Sequence, residues 1–255
     1  VRPDSVFVTL GSCFAVNLAR ALQAAGREAH YEMISEEVNS PLANRCLVDW
    51  LSSGPTTPQT RAMEEALGGQ VRERMLGLLG KADVVVLTVG VAPSFVSRET
   101  GEFVFMQARG MASIRHLLGT AVMRTPTVAE AAGHIAHVGA GLRRLAAPGA
   151  KIVVTESPVP LPYTNEFDSV FIADSLSKSI LRVACHEATA DPANGLLYWP
   201  SFEIVRGMGL HLGPGHPPVF GGDDDNTRHV SGWLIDLIVE EFLNFYSAEE
   251  PVPGG

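Results

Sequence analysis

The sequence predicts an α/β fold, a three-layer sandwich with helices on both faces of a mostly parallel sheet. Three observations carry that expectation. Short β-branched runs recur, each closed by glycine or a turn and each followed by apolar residues at helical spacing, four times over. Two of these runs, 6–10 and 83–89, are almost wholly apolar, as strands buried on both faces are. Of the 255 residues, 46% are hydrophobic and 18% charged, which fits one large core and leaves little room for two. One domain over 1–248 is expected, with 249–255 as a frayed tail.

Val6-Phe7-Val8-Thr9-Leu10 reads as a buried parallel strand running into a tight turn at Gly11-Ser12. Phe14, Leu18, Ala21 and Leu22 then recur on one helical face, and Gly26 ends that helix. Residues 39–62, with Asn39, Pro41, Pro55 and Pro58, read as an irregular connection holding one helix at 42–51. A helix is expected over 61–79, weakened by Gly68-Gly69 and ended by Gly80. The strand 83–89 follows and stops at Gly90. Phe95-Val96-Ser97 and Glu102-Phe103-Val104-Phe105, on either side of Arg98-Glu99-Thr100-Gly101, read as a surface hairpin. Pro126 and Thr127 open a long amphipathic helix to about residue 146, and Pro148-Gly149 closes it. Lys151-Ile152-Val153-Val154-Thr155 is the next strand. The helix 168–190 is expected to present Leu176, Ile180, Val183 and Ala184 on one face, and 195–200 a short strand. The last helix, 230–246, is apolar at Trp233, Leu234, Leu237, Ile238 and Phe242.

Composition removes several functions. The net charge is −9 and no cluster of Lys and Arg stands out, so nucleic acid and anionic membrane surfaces are poor partners. No apolar run approaches the roughly 18 residues of a transmembrane segment. The three cysteines, Cys13, Cys46 and Cys185, form no CxxC pair, which argues against a zinc or redox site and favours a reducing, cytoplasmic setting. His134 and His137 share a helix face, but no acidic neighbour in the sequence completes a metal site. Neither a metal nor an organic cofactor is expected.

In such a sheet, ligands sit beyond the carboxyl ends of the strands. Those ends are Gly11-Ser12, Gly90, Glu156-Ser157 and the segment after Pro200. Ser12 there is either a helix N-cap or a nucleophile. Gly11-Ser12-Cys13-Phe14-Ala15 spells the signature of the GSCFA family, which is related to the SGNH hydrolases, and the resemblance runs on. Thr88-Val89-Gly90, Arg124-Thr125-Pro126-Thr127-Val128 and Thr155-Glu156-Ser157-Pro158-Val159-Pro160 are similar to its internal blocks. Ser175, Ser177-Lys178-Ser179, Leu181-Arg182, Tyr198, Pro200-Ser201-Phe202-Glu203-Ile204 and the closing Arg228-His229-Val230 fit as well.

That resemblance implies an SGNH or flavodoxin-like sheet and a serine-dependent acyl transfer. Ser12 would attack an ester, His229 would act as base, and backbone N–H groups at Ser12 and Gly90 would hold the oxyanion. SGNH enzymes carry an Asp three residues before the histidine. Asn226 stands there, so the orienting residue is either Asp225, from a shifted turn, or Asn226. The asparagine of the third SGNH block has no counterpart between Gly90 and Asn165, and Gln107 is a possible substitute. Glu156, Ser157, Lys178 and Glu203 fall in blocks assigned to substrate binding, with a structural ion pair under the floor as the alternative for Lys178 and Glu203. The implied substrate is a short acyl ester, an O-acetyl group among the candidates, on a carbohydrate or small metabolite. An acyl donor such as acyl-CoA would make the same site a transferase. The rival reading is a catalytically impaired SGNH-like binding module for a glycan or acyl carrier.

Overall fold

The computed structural model describes residues 1–11, 13–32, 34–35, 37–105, 115, 118–208, 211–213, 215–224 and 226–247. Five strands form one parallel sheet: β1 (Val6–Leu10), β2 (Glu28–Tyr31), β3 (Val84–Val89), β6 (Lys151–Glu156) and β7 (Leu196–Trp199), in the order β2-β1-β3-β6-β7. Two further strands, β4 (Ser94–Ser97) and β5 (Ala121–Arg124), pair antiparallel beside it. This is the doubly wound order in which the chain reverses direction across the sheet between β1 and β3. The class is the one the sequence predicts.

Helices cover both faces. α1 (Cys13–Ala24) packs with α8 (Gly232–Tyr246), and α7 (Ser201–Met208) lies beside α8. On the other face α2 (Pro41–Ser53), α5 (Val128–Leu145) and α6 (Val170–Ala190) form a layer, with α3 (Pro58–Leu67) and α4 (Gly69–Leu79) at its edge. Strand alternation divides the core accordingly. Phe7, Val84, Val86 and Val153 enter the core under α1 and α8, whereas Val8, Val85, Leu87 and Ile152 enter the core under α2, α5 and α6. Among the described residues, no helix is long and apolar enough to cross a membrane.

Several local expectations are corrected. The connection at 39–62 is mostly helical, because its prolines start helices instead of breaking them. Pro41 and Pro58 each occupy the first turn behind a capping Ser40 or Thr57, where a missing N–H costs nothing. The helix expected over 61–79 is two helices, parted at Gly68, whose φ of 89° no helix continues. β2 and α7 were not expected. The hairpin at 95–105 is present, with a Val96–Phe103 bridge, Ser97 N–H on Glu102 (2.8 Å) and Val104 N–H on Phe95 (2.9 Å), and β4 takes β5 as a further partner on its other edge. α6 buries half of its expected face: Ile180 and Ala184 are inside, together with Ala173, Ser177 and Leu181, while Leu176 and Val183 are 38% and 44% exposed.

Three threonines finish the carboxyl ends of consecutive strands. Thr9, Thr88 and Thr155 are fully buried, and each hydroxyl donates to a backbone carbonyl: Thr9 to Ala15 of α1 (2.8 Å), Thr88 to Leu10 of β1 (3.3 Å) and Thr155 to Trp199 of β7 (2.7 Å). The turn after β1 must pass over Thr88, and only glycine permits it. Gly11 has φ of 140°, and a Cβ there would lie 1.9 Å from Thr88 Oγ1 and 2.9 Å from its carbonyl oxygen. Gly11→Ala is therefore expected to lower the unfolding free energy by about 3 kcal/mol, the strained backbone and the overpacking adding together. Urea denaturation measures this, and a loss under about 0.5 kcal/mol would show that the turn relaxes freely.

Candidate active site

His229 is delivered to the rim by a loop folded back on itself ahead of α8. Gly221 N–H donates to the His229 carbonyl (2.8 Å), Ser231 N–H to Val219 (2.9 Å) and Gly222 N–H to Ser231 Oγ (3.0 Å). The acidic run inside this loop has two distinct tasks. Asp223 accepts the Gly232 N–H at the first turn of α8, where unpaired amides and the helix dipole favour an anion. Asp224 Oδ2 sits 2.7 Å from His229 Nδ1, and its other oxygen accepts the Asn226 N–H at 3.0 Å. The hydrogen bond from His229 holds the Asp224 carboxyl below its ordinary range, so it is a carboxylate at neutral pH.

A carboxylate on Nδ1 fixes the tautomer with the proton on that nitrogen and leaves Nε2 as acceptor. Asn226 Nδ2 lies 3.1 Å from Nε2. The amide is aimed that way because its oxygen accepts the Arg228 N–H at 3.1 Å. Asn226 thus touches the ring on the side opposite the orienting carboxylate. Among the described residues the acid on His229 is Asp224, and Asn226 is not the orienting residue. Asp225, Ser12 and Gln107 lie outside the described residues.

Gly11 and Cys13, on either side of position 12, line the same cavity as His229 and Asp224, a space of about 650 Å³ along α1 and α8. Cys13 also borders a second cavity of about 230 Å³, walled by Asn39, Val91, Phe95, Phe103, Met123 and Val159 among others. Gly90 backs the second wall through Asn39. Its N–H donates to the Asn39 carbonyl (2.8 Å), so it is not free to serve an oxyanion, as was expected of it. Its missing side chain makes room for the Asn39 amide, since a Cβ would fall 1.9 Å from Asn39 Nδ2. Asn39 is 9% exposed, and its side-chain oxygen is buried without a hydrogen-bond partner among the described residues. Read as part of an irregular connection, Asn39 gave one sign only, its place beside the Ser40-Pro41 helix start.

The residues assigned to substrate binding lie under the rim. Glu156 and Ser157 have no exposed surface and Lys178 has 4%, so they present nothing to a ligand. Lys178 Nζ donates to the carbonyls of Gly90 (2.6 Å) and Ser157 (2.5 Å), the residues that follow β3 and β6. Ser177, one residue earlier on α6, accepts the Ala92 N–H at 2.8 Å. Glu203 is spoken for elsewhere. It accepts the Tyr198 hydroxyl at 3.0 Å and pairs with Arg182, whose guanidinium lies 4.6 Å over the Tyr198 ring. The carboxylate of the ion pair expected for Glu203 therefore meets Arg182, not Lys178. His137 does have an acidic partner, Asp49 of α2 at 2.6 Å, and among the described residues no three His, Cys, Asp or Glu side chains converge as metal ligands.

Comparison with known proteins returns the GSCFA family, whose model matches residues 6–242. Two solved structures are similar in fold. One is a GDSL-like lipase from Bacteroides thetaiotaomicron VPI-5482, 10% identical, covering 94% of this chain and 88% of that one with a TM-score of 0.44. The other is an extracellular lipase from Streptomyces rimosus, 14% identical, covering 91% and 98% with a TM-score of 0.35. No curated protein matches the sequence.

The floor of the site also sets a pH dependence. Burial pushes the Glu156 carboxyl up, opposed chiefly by the Lys178 ammonium, and both carboxyl oxygens lack a hydrogen-bond partner among the described residues. Burial pushes Lys178 down, opposed chiefly by Glu156. A carboxyl raised in the folded state binds its proton there more tightly than in the unfolded chain. Its contribution to stability is whole below the ordinary glutamate range and is lost as pH rises above it. Wild-type stability is expected to fall relative to Glu156→Gln between about pH 5 and pH 8, read from urea melts at each pH. Parallel profiles for the two proteins would show that Glu156 titrates as an ordinary carboxyl.

Proposed function

The chain belongs to the GSCFA family, and from that premise we propose that it is a serine-dependent esterase or acyltransferase working through an acyl-serine intermediate. The observation that carries the reading is the His229–Asp224 pair, in one cavity with the two neighbours of Ser12. Ser12 Oγ attacks the ester carbonyl while His229 Nε2 takes its proton, and Asp224 stabilises the imidazolium that forms. The tetrahedral intermediate collapses as His229 returns the proton to the leaving alcohol. Water then resolves the acyl-enzyme in a hydrolase, and a second alcohol does so in a transferase. The Asn39 amide nitrogen, beside Gly90 and on the wall of the second cavity, takes the place of the missing third-block asparagine as the candidate oxyanion donor. Such a donor is typically worth about 2.7–4 kcal/mol to the transition state. The substrate we propose is a short acyl ester of a carbohydrate or small metabolite.

One observation favours a second reading, a binding module with impaired catalysis. Asn226 occupies the nitrogen of His229 that a nucleophile would need. For the serine mechanism to run, that amide must leave Nε2 when substrate binds.

Labelling with a fluorophosphonate probe separates the two. Wild type is expected to label once, and Ser12→Ala and His229→Ala not at all. Asp224→Asn should slow labelling by roughly 10²-fold or more, since the comparable exchange in a serine-protease triad costs about 10⁴. Asn226→Ala should label at least as fast as wild type. A folded wild type that takes no label would favour the binding module, and a fast Asp224→Asn would remove Asp224 from the mechanism.

A further inference from the structure

The two cavities that meet at Cys13 differ in what they can hold, and we infer that the smaller one is an acyl-chain pocket built for about four to eight carbons. The inference rests on the serine reading above and changes its substrate class from acetyl to medium-chain esters. Its starting point is the proton. Whatever alcohol leaves must be reached by His229, and His229 lines only the larger cavity, with Asp223, Asp236, Asn17 and Arg20 around it. The alcohol of an ester and its acyl chain diverge from the carbonyl carbon. With the alcohol on the His229 side of Cys13, the acyl chain runs to the other side, between Phe95, Phe103, Met123, Val159 and Leu161.

Phe103, Met123, Val159 and Leu161 are each at most 8% exposed, so they form a fixed wall and not a surface that closes over a ligand. Asn39 stands where this wall meets Gly90, its amide lining the same cavity. The volume sets the length. The cavity of about 230 Å³ has room for roughly seven groups the size of a water molecule, at about 30 Å³ each, and a methylene is of that size. An acetyl methyl would occupy one such place and leave the apolar wall unfilled. Each further methylene buried there should raise kcat/KM about four-fold. The chemistry balances without any added reactant. The Ser12 Oγ–carbonyl bond forms, the carbonyl–alcohol bond breaks, and the proton passes from Ser12 through His229 to the departing alkoxide.

The test is a series of p-nitrophenyl esters from acetate to dodecanoate on the purified chain, with fluorophosphonate labelling of Ser12 followed by intact mass in parallel. The expected profile climbs from acetate to a maximum between four and eight carbons and falls at dodecanoate. Val104→Trp, which fills the cavity from its half-exposed rim, should move the maximum toward acetate, and Phe95→Ala should move it toward longer chains. A maximum at acetate, or a flat profile, with Ser12 still labelled would overturn the acyl pocket and leave the serine mechanism standing. So would either variant, folded, with an unchanged profile. Failure to label Ser12 and to turn over any ester would overturn the serine reading, and the pocket with it.

Discussion

A buried ammonium organises the rim of this molecule. Lys178 reaches up from α6 and joins the carbonyls of Gly90 and Ser157, so the ends of the two central strands are tied at one point. Those carbonyls lie past the last ladder bonds of β3 and β6 and would otherwise be unpaired in a dry place. A lysine suits the position because its three donors radiate from one atom, so one ammonium serves both carbonyls. Taking the charge out of water is costly, and Glu156 offsets part of that cost once its own carboxyl is ionised. From Lys178 the order passes outward. Gly90 and Val91 grip the carbonyl of Asn39, Ser177 grips Ala92, and the second cavity takes its shape from these contacts.

The acid–base side of the site is built on a different plan. His229 and Asp224 are held by a loop, with side chains 35% and 50% exposed. Water screens that pair, so the interaction orients the ring more than it stabilises the fold. The loop owes its own shape to Asp223 on α8 and to the bonds that link 219–222 with 229–231. A rigid floor and an adjustable wall meet across the turn after β1.

Much of the floor was legible in the sequence. Strands with no charged residue inside them announce themselves, and Gly11, Gly90 and Glu156-Ser157 mark their ends without any family being named. Edge and surface elements were not legible. β2 is four residues of mixed polarity, Glu28-Ala29-His30-Tyr31, and becomes a strand only because β1 offers it a partner. Pro41 and Pro58 look alike as breakers and as first-turn residues, and only the preceding Ser40 and Thr57 decide which they are. The acid on His229 was missed for a related reason. Three aspartates in a row differ by one step of backbone each, and which one reaches the ring depends on turn geometry that spacing does not encode. Asn39 and Gly90 meet across the switch between β1 and β3, a contact that exists only once the sheet is assembled.

The amide of Asn226 reads the charge on His229. While the ring is neutral, Nε2 is an acceptor and the amide nitrogen suits it, with the amide oxygen on the Arg228 N–H. Once the ring gains a proton, donor faces donor. The amide must then turn over, and the oxygen that turns toward the ring is the one that was holding Arg228. A proton arriving at the imidazole would then bear on Arg228, the residue whose guanidinium bonds the Pro160 carbonyl along the smaller cavity. The histidine's protonation state and the wall of that cavity are joined by a single side chain.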